Sequence, residues 1–258
     1  MKINKLHRGL RAFTLIEMIG VLAVIAILII SYFEAKRLGV KEDDLYNIGV
    51  WSIISGIIFA RVFHIIDKWS FYMEHPSQIL NFEGLAVYGA VFGIVLVVVI
   101  YSLIKKLSLW TIADMVSPGA LVGMAIGRVG CLINGCCFGT PTDLPWAVVY
   151  TNPASYAPNG IPVHPTQVYH IIWNLMAFGF LWWLRKSLKP KGTVFLAYLA
   201  FYAAGDLLIR FFRDGEPFLF GMQQAQLIGI IILLITVPLM LYRMWKYKKQ
   251  TQGTVKSD

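Results

Sequence analysis

The chain reads as long apolar runs separated by short charged turns. A helix that crosses a bilayer needs roughly 20 mostly apolar residues. Seven runs qualify, at 13–33, 48–67, 84–104, 109–133, 166–184, 193–212 and 222–244. The first, third and seventh are almost uniformly apolar, whereas the second, fourth and sixth carry internal charges. The pattern predicts an all-α polytopic membrane protein with seven transmembrane helices. Residues 1–12 form a basic N-terminal tail, 13–245 the membrane domain, and 246–258 a basic C-terminal tail.

The polar turns set an orientation. Alternate loops hold Lys36, Arg37 and Lys41, then Lys105 and Lys106, then Arg185, Lys186, Lys189 and Lys191. The C-terminal segment adds Arg243, Lys246, Lys248, Lys249 and Lys256, while the opposite loops are nearly free of Lys and Arg. The positive-inside rule puts the richer side, with the C-terminus, in the cytoplasm, and seven spans then put the N-terminus outside. Lys2, Lys5, Arg8 and Arg11 in the N-terminal tail pull the other way but are outnumbered.

Composition agrees. The chain is 57% hydrophobic and 14% charged, against about 45–50% and about 25% in soluble domains, which excludes a water-soluble globule and disorder alike. The formal charge of +9 would point to nucleic acid in a soluble protein. Here the excess sits in the loops and tail, so no nucleic-acid partner is expected. Three cysteines supply no disulfide framework.

Ala12 to Glu17, after a basic leader, resembles the cleavage site of type IV prepilins, whose mature chains carry a glutamate at their fifth residue. A pilin has one such helix and a soluble head, whereas six more spans follow here. The segment is read as a first transmembrane helix. It is too long for a secretory signal peptide and lacks a small-x-small cleavage site.

Ionisable residues within spans are costly and usually functional. With the N-terminus outside, Glu17, Arg61, His64, Asp67, Tyr88, Arg128, Tyr169, His170, Asp206, Arg210 and Arg213 all fall in the outer half of the bilayer, and only Asp114 at the inner end. A shared polar cavity open to the outer leaflet is expected, slightly positive and suited to an anionic headgroup. Arginine binds phosphate in bidentate fashion. Gly119, Gly123, Gly127 and Gly130 on the fourth span, and Gly89 and Gly93 on the third, are read as small-residue faces for close helix packing, and Pro118 as a kink. Cys131, Cys136 and Cys137 are read as small packing residues at a helix end, with a disulfide on an oxidising outer face as the other reading. Their C-x4-C-C spacing is not a standard zinc pattern.

Several motifs carry a family resemblance. Gly127 to Gly139, GRVGCLINGCCFG, and the following PTDLPW at 141–146 resemble the signature of prolipoprotein diacylglyceryl transferases. His164 to Tyr169, HPTQVY, resembles that family's next motif, and Glu83 to Ala90, EGLAVYGA, its loop into the third span. The resemblance implies a multi-pass protein of the bacterial cytoplasmic (inner) membrane. It implies transfer of a diacylglyceryl group from phosphatidylglycerol to the lipobox cysteine of preprolipoproteins. A thioether forms and glycerol phosphate is released, with no metal and no soluble cofactor. Arg128 matches the family's lipid-binding arginine and Arg61 a motif arginine, while Asn134 and Gly139 match signature positions. On this reading Arg128 holds the phosphate, Arg61 and Arg210 assist, and Tyr88 or His170 handles the thiol proton. A thiol is only a few per cent thiolate near neutral pH, so a base helps. A fixed arginine stabilises the charge that grows on the departing phosphate.

The chain departs from the family at marked places. Tyr88-Gly89-Ala90 stands where His-Gly-Gly is common. His170 stands where the family has Glu. Cys131 and Cys136 replace a frequent Asn and Glu. Asp206 stands at the place of an arginine and Arg210 at that of a glutamate, so the charges of one i, i+4 pair are exchanged, which keeps a local pair and moves the cation about 6 Å along the helix. These exchanges motivate a second reading, a divergent non-catalytic or altered-specificity paralogue that binds lipid in the same cavity.

Overall fold

The computed structural model describes residues 3–75, 77, 79, 86–213, 215, 218, 219 and 221–255. It is mostly helical. The main helices are α1 (Ile3–Leu38), α2 (Glu42–Asp67), α3 (Trp69–Glu74), α4 (Val87–Lys105), α5 (Leu109–Asn134), α6 (Thr166–Leu184), α7 (Thr193–Ile209) and α8 (Gln224–Val255). The chain divides into two compact units, Met1–Ser31 with Val116–Asp258, and Tyr32–Met115. Among the described residues, six helical stretches are long and apolar enough to cross a membrane: Glu17–Leu38, Glu42–Asp67, Tyr88–Lys105, Leu109–Asn134, Thr193–Phe212 and Gln224–Gln252. Each answers to one of the seven runs read from the sequence. The remaining run is α6, a 19-residue helix that falls short because its first half carries Thr166, Gln167, His170 and Asn174, all buried against protein. Outward apolar side chains such as Met18, Leu22, Leu103, Trp183 and Leu234, each more than half exposed, are what a lipid-facing surface requires.

In the smaller unit, α2 and α4 pack antiparallel along their lengths. The Ala86 N–H donates to the Ala60 carbonyl at 3.0 Å, and the Ser55 hydroxyl to the Gly93 carbonyl at 3.0 Å. At the other end the Tyr101 hydroxyl donates to Asp44 at 2.7 Å. Gly89 and Gly93 lie directly on the backbone of Phe59 and Ser55, where a Cβ would overlap main-chain atoms. The small-residue face expected on this span is therefore used in full. Glu34, wholly buried, is held by Arg37 at 2.5 Å.

In the larger unit the expected α5 stripe is used in part. Gly119 and Gly123 press against Ile27 of α1, and Gly130 meets Ile19 at ordinary distance, but Gly127 faces nothing within 4 Å. Helix α5 runs unbroken through Pro118. Leu121, Ala177, Leu181, Val194 and Ala197 form the core shared by α5, α6 and α7. Gly205 on α7 admits the indole of Trp173 on α6, whose N–H donates to the Phe201 carbonyl at 2.8 Å.

The helical boundaries depart from the apolar runs at both ends. Helix α1 begins at Ile3 and α8 continues to Val255, because helix formation does not stop where hydropathy does; the strong formers Lys, Gln and Tyr-flanking residues after 244 contain no breaker until Gly253. The loop between α5 and α6 also adds a small antiparallel pair, β1 (Val148–Val149) with β2 (Pro162–Val163), to the all-helical expectation.

Candidate active site

The site is assembled on the larger unit, where the end of α5, the loop after it, the start of α6 and the end of α7 meet. Main-chain hydrogen bonds stitch three motifs together. The Gly139 N–H donates to the His164 carbonyl at 2.9 Å, the His164 N–H to the Thr140 carbonyl at 3.0 Å, and the Thr140 N–H to the Phe212 carbonyl at 2.9 Å. Gly139 is buried at this crossing, and a Cβ there would collide with the Phe212 carbonyl and the side chains of His164 and Thr166. Its role as a signature position is thus steric.

Two adjacent carbonyls of the signature loop are anchored by α6. The Thr166 hydroxyl donates to the Cys137 carbonyl at 2.5 Å. The Gln167 amide donates to the Cys136 carbonyl at 2.7 Å and to the Tyr150 hydroxyl at 3.3 Å. Both side chains are wholly buried. The Asn134 carbonyl caps the same turn by accepting from the Tyr156 N–H at 3.5 Å. His164 Nδ1 lies 3.1 Å from the Tyr169 hydroxyl, which also accepts from the Trp146 indole at 2.9 Å. Phe212 packs on both rings.

A line of polar groups runs across α6 and α7. His170 Nε2 stands 3.7 Å from Asp206 Oδ1, both almost fully buried. Asp206 Oδ2 accepts from Arg210 Nε at 2.6 Å, so the exchanged i, i+4 charges do form a pair. Arg210 reaches on to Gln223 at 3.2 Å, and the Gln223 amide donates to the Arg213 carbonyl at 2.9 Å. Burial of His170 Nε2 and Asp206 Oδ1 beyond hydrogen-bond distance leaves both atoms poised for a proton or a ligand group.

Arg128 is half-buried nearly two turns before the end of α5. Its charge reaches Cys137, His170 and Tyr202. Among the described residues its guanidinium forms no hydrogen bond or ion pair. Partial desolvation of a cation is costly, and an anion beside it is the usual compensation. The structure thus brings together Arg128, Asn134, Gly139, His170 and Arg210 from the expected set. Arg61 and Tyr88 belong to the other unit. There the Arg61 guanidinium donates to the Ile79 carbonyl at 3.2 and 3.1 Å and lies over the Tyr72 ring. Tyr88, in the first turn of α4, is 86% exposed. Glu83, Gly84 and Leu85 of the loop motif lie outside the described residues. Glu17 is exposed on α1.

Sequence reasoning missed Gln223 and Tyr150, which have no motif of their own and enter through long-range contacts. It also missed the cysteine geometry. The sulfurs of Cys131, Cys136 and Cys137 lie within 4.8 Å of one another, and all three thiols are free of disulfides. The Cys137 thiol is held down to about 5, first by a hydrogen bond from Cys131 and then by the charges of Arg213 and Arg128, against burial. Burial pushes the Cys136 thiol up.

Known proteins resemble the chain over most of its length. A profile of the prolipoprotein diacylglyceryl transferase family matches residues 5–242. A phosphatidylglycerol–prolipoprotein diacylglyceryl transferase of Dehalococcoides mccartyi is 41% identical over 90% of each chain. Enzymes of the same name are 38% identical in Clostridioides difficile, over 79% of each chain, and 36% identical in Acaryochloris marina, over 82% of this chain and 81% of the relative. With a family profile spanning most of the chain and relatives 36–41% identical over about four fifths or more of it, the chain belongs to the prolipoprotein diacylglyceryl transferase family.

Proposed function

We propose that the chain transfers the diacylglyceryl group of phosphatidylglycerol to the lipobox cysteine of preprolipoproteins, the first step of lipoprotein maturation. The observation that carries this reading is Arg128, half-buried and without a hydrogen-bond or ion-pair partner among the described residues, on the same unit as the buried His170–Asp206–Arg210 line. The phosphate of the lipid takes the Arg128 fork, with Arg210 adding positive potential and Asn134 and Gly139 shaping the wall. The acceptor thiol loses its proton to His170, whose imidazolium is then stabilised by Asp206. The thiolate attacks the glyceryl carbon that carries the phosphate ester. A C–S bond forms as the C–O bond breaks, and glycerol phosphate leaves with the charge that Arg128 neutralises. Stabilisation of a charge that grows in the transition state accelerates the step more than it tightens binding.

The chain crosses the bacterial cytoplasmic membrane seven times, α6 included, with its N-terminus outside and its C-terminus in the cytoplasm. That topology places the site towards the outer leaflet, where exported precursors present their lipobox. The test is a mass-shift assay of a lipobox peptide with phosphatidylglycerol in membranes containing only this protein. A mass gain of one diacylglyceryl group is expected, and no gain overturns the reading. The exchanged Asp206 and Arg210 favour one rival, a paralogue that binds lipid without transfer. Failure to restore lipoprotein modification in cells depleted of their own transferase selects it.

A further inference from the structure

We propose that Cys131, Cys136 and Cys137 form a three-thiolate binding site for a thiophilic divalent metal ion of the zinc class. The argument begins with spacing. Zinc–thiolate bonds of about 2.3 Å in a tetrahedron put sulfurs about 3.8 Å apart, whereas a disulfide joins them at about 2.05 Å. The three sulfurs here lie within 4.8 Å of one another and none is bonded to another. An ion draws them together by about 1 Å or less; a disulfide requires a larger approach by two of them and strands the third.

The backbone is built to gather them. Helix α5 ends with the Cys136 N–H on the Cys131 carbonyl at 3.1 Å. Gly135 then turns through φ +69° and Cys137 through φ +61°. A non-glycine residue in the left-handed region is uncommon and strained. A residue needed only for packing at that place would be glycine; a cysteine there swings its sulfur back beside the other two. The turn is locked from α6, since the fully buried Thr166 and Gln167 spend hydrogen bonds on the carbonyls of Cys137 and Cys136. This is why the C-x4-C-C spacing does not read as a zinc pattern: the third ligand depends on a backbone conformation that the linear sequence does not announce.

Charge agrees. Three thiolates and a divalent ion sum to −1, and the guanidinium charges of Arg213 and Arg128 both act at Cys137. The complex therefore offsets one of two neighbouring cations and leaves the site positive for an anionic headgroup. Among the described residues no histidine or carboxylate joins the three sulfurs. Three protein ligands with an open fourth position is the arrangement that admits water or an external ligand.

The experiment uses the full chain, purified in detergent micelles without chelator and loaded with zinc. Elemental analysis is expected to find one equivalent per chain, and cobalt in its place to show thiolate-to-metal charge transfer with the visible bands of a tetrahedral ion. Cys131→Ser, Cys136→Ser and Cys137→Ser are each expected to lose most of the metal. Because a variant that fails to fold would lose it trivially, a second measurement uses the unmodified chain. Thiol-reagent reactivity is expected to be low with metal and to rise for all three cysteines on adding a chelator. Three fully reactive thiols in zinc-loaded protein overturn the proposal, and so does an oxidised pair that only a reductant, not a chelator, releases.

Discussion

The proposed mechanism concentrates the chemistry of the site in Arg128. Its replacement by Gln is expected to lower transfer by about 10²–10³-fold, the usual loss when one donor to a developing oxyanion is removed. Lysine in its place keeps the charge but not the fork, and an intermediate rate is expected in the same peptide assay. Fold stability should barely change in either variant, because the guanidinium binds no described residue. The Asp206–Arg210 pair makes a contrasting case. Asp206→Arg alone places like charges four residues apart in a buried setting and should destabilise the protein. Combining it with Arg210→Asp restores a pair in the family's order. A coupling of about 1–3 kcal/mol is expected from thermal unfolding of the four proteins in micelles; strict additivity would show that the pair contributes nothing. At this scale the charged residues were legible in the sequence, since a charge within an apolar run stands out. Gln223 and Tyr150 were not, because a neutral polar residue beside a loop carries no signal until its partner is known.

Helix packing is where small residues reveal which faces matter. A Cβ at Gly89 or Gly93 would overlap the backbone of α2, while one at Gly127 meets nothing within 4 Å. Gly89→Ala is therefore expected to cost about 1–3 kcal/mol of stability through overpacking, and Gly127→Ala to stay within about 0.5 kcal/mol. Equal losses in an unfolding titration would refute this distinction. Gly139→Ala should separate the signature loop from the Phe212 carbonyl and reduce transfer while leaving the α2–α4 pairing intact. The apolar runs located the helices well, but the spacing of glycines on α5 could not say that Gly119 and Gly123 meet Ile27 while Gly127 is open. That depends on where a neighbouring helix crosses, which no local pattern encodes.

For the whole molecule, the expectation is a chain with its N-terminus outside and its C-terminus in the cytoplasm. Reporter fusions check it: a phosphatase that works only outside should be active at the loop around residue 150 and silent after residue 249, and the reverse pattern sinks the topology. The decisive residues are Lys36, Arg37, Lys105, Lys106 and the Lys and Arg of 185–191, set against the basic N-terminal tail. Neutralising those loops while keeping Lys5, Arg8 and Arg11 is expected to drive the N-terminus inward, because short-loop charges near the spans set orientation.

What the sequence by itself determined is everything that the membrane and local chemistry dictate. Apolar length makes the long helices and singles out the rare ionisable residues within them, because in lipid each such choice carries a large free-energy cost, and loop charge supplies the proposed orientation. Only the tertiary structure decided which of those residues lie together. Arg128, His170 and Asp206 come from three helices and Arg210 from the 3-10 turn that follows α7, and their meeting depends on side-chain and main-chain contacts between segments far apart in the chain. It alone placed Cys137 in a left-handed turn beside Cys131 and Cys136, since that conformation is held by Thr166 and Gln167 some thirty residues away.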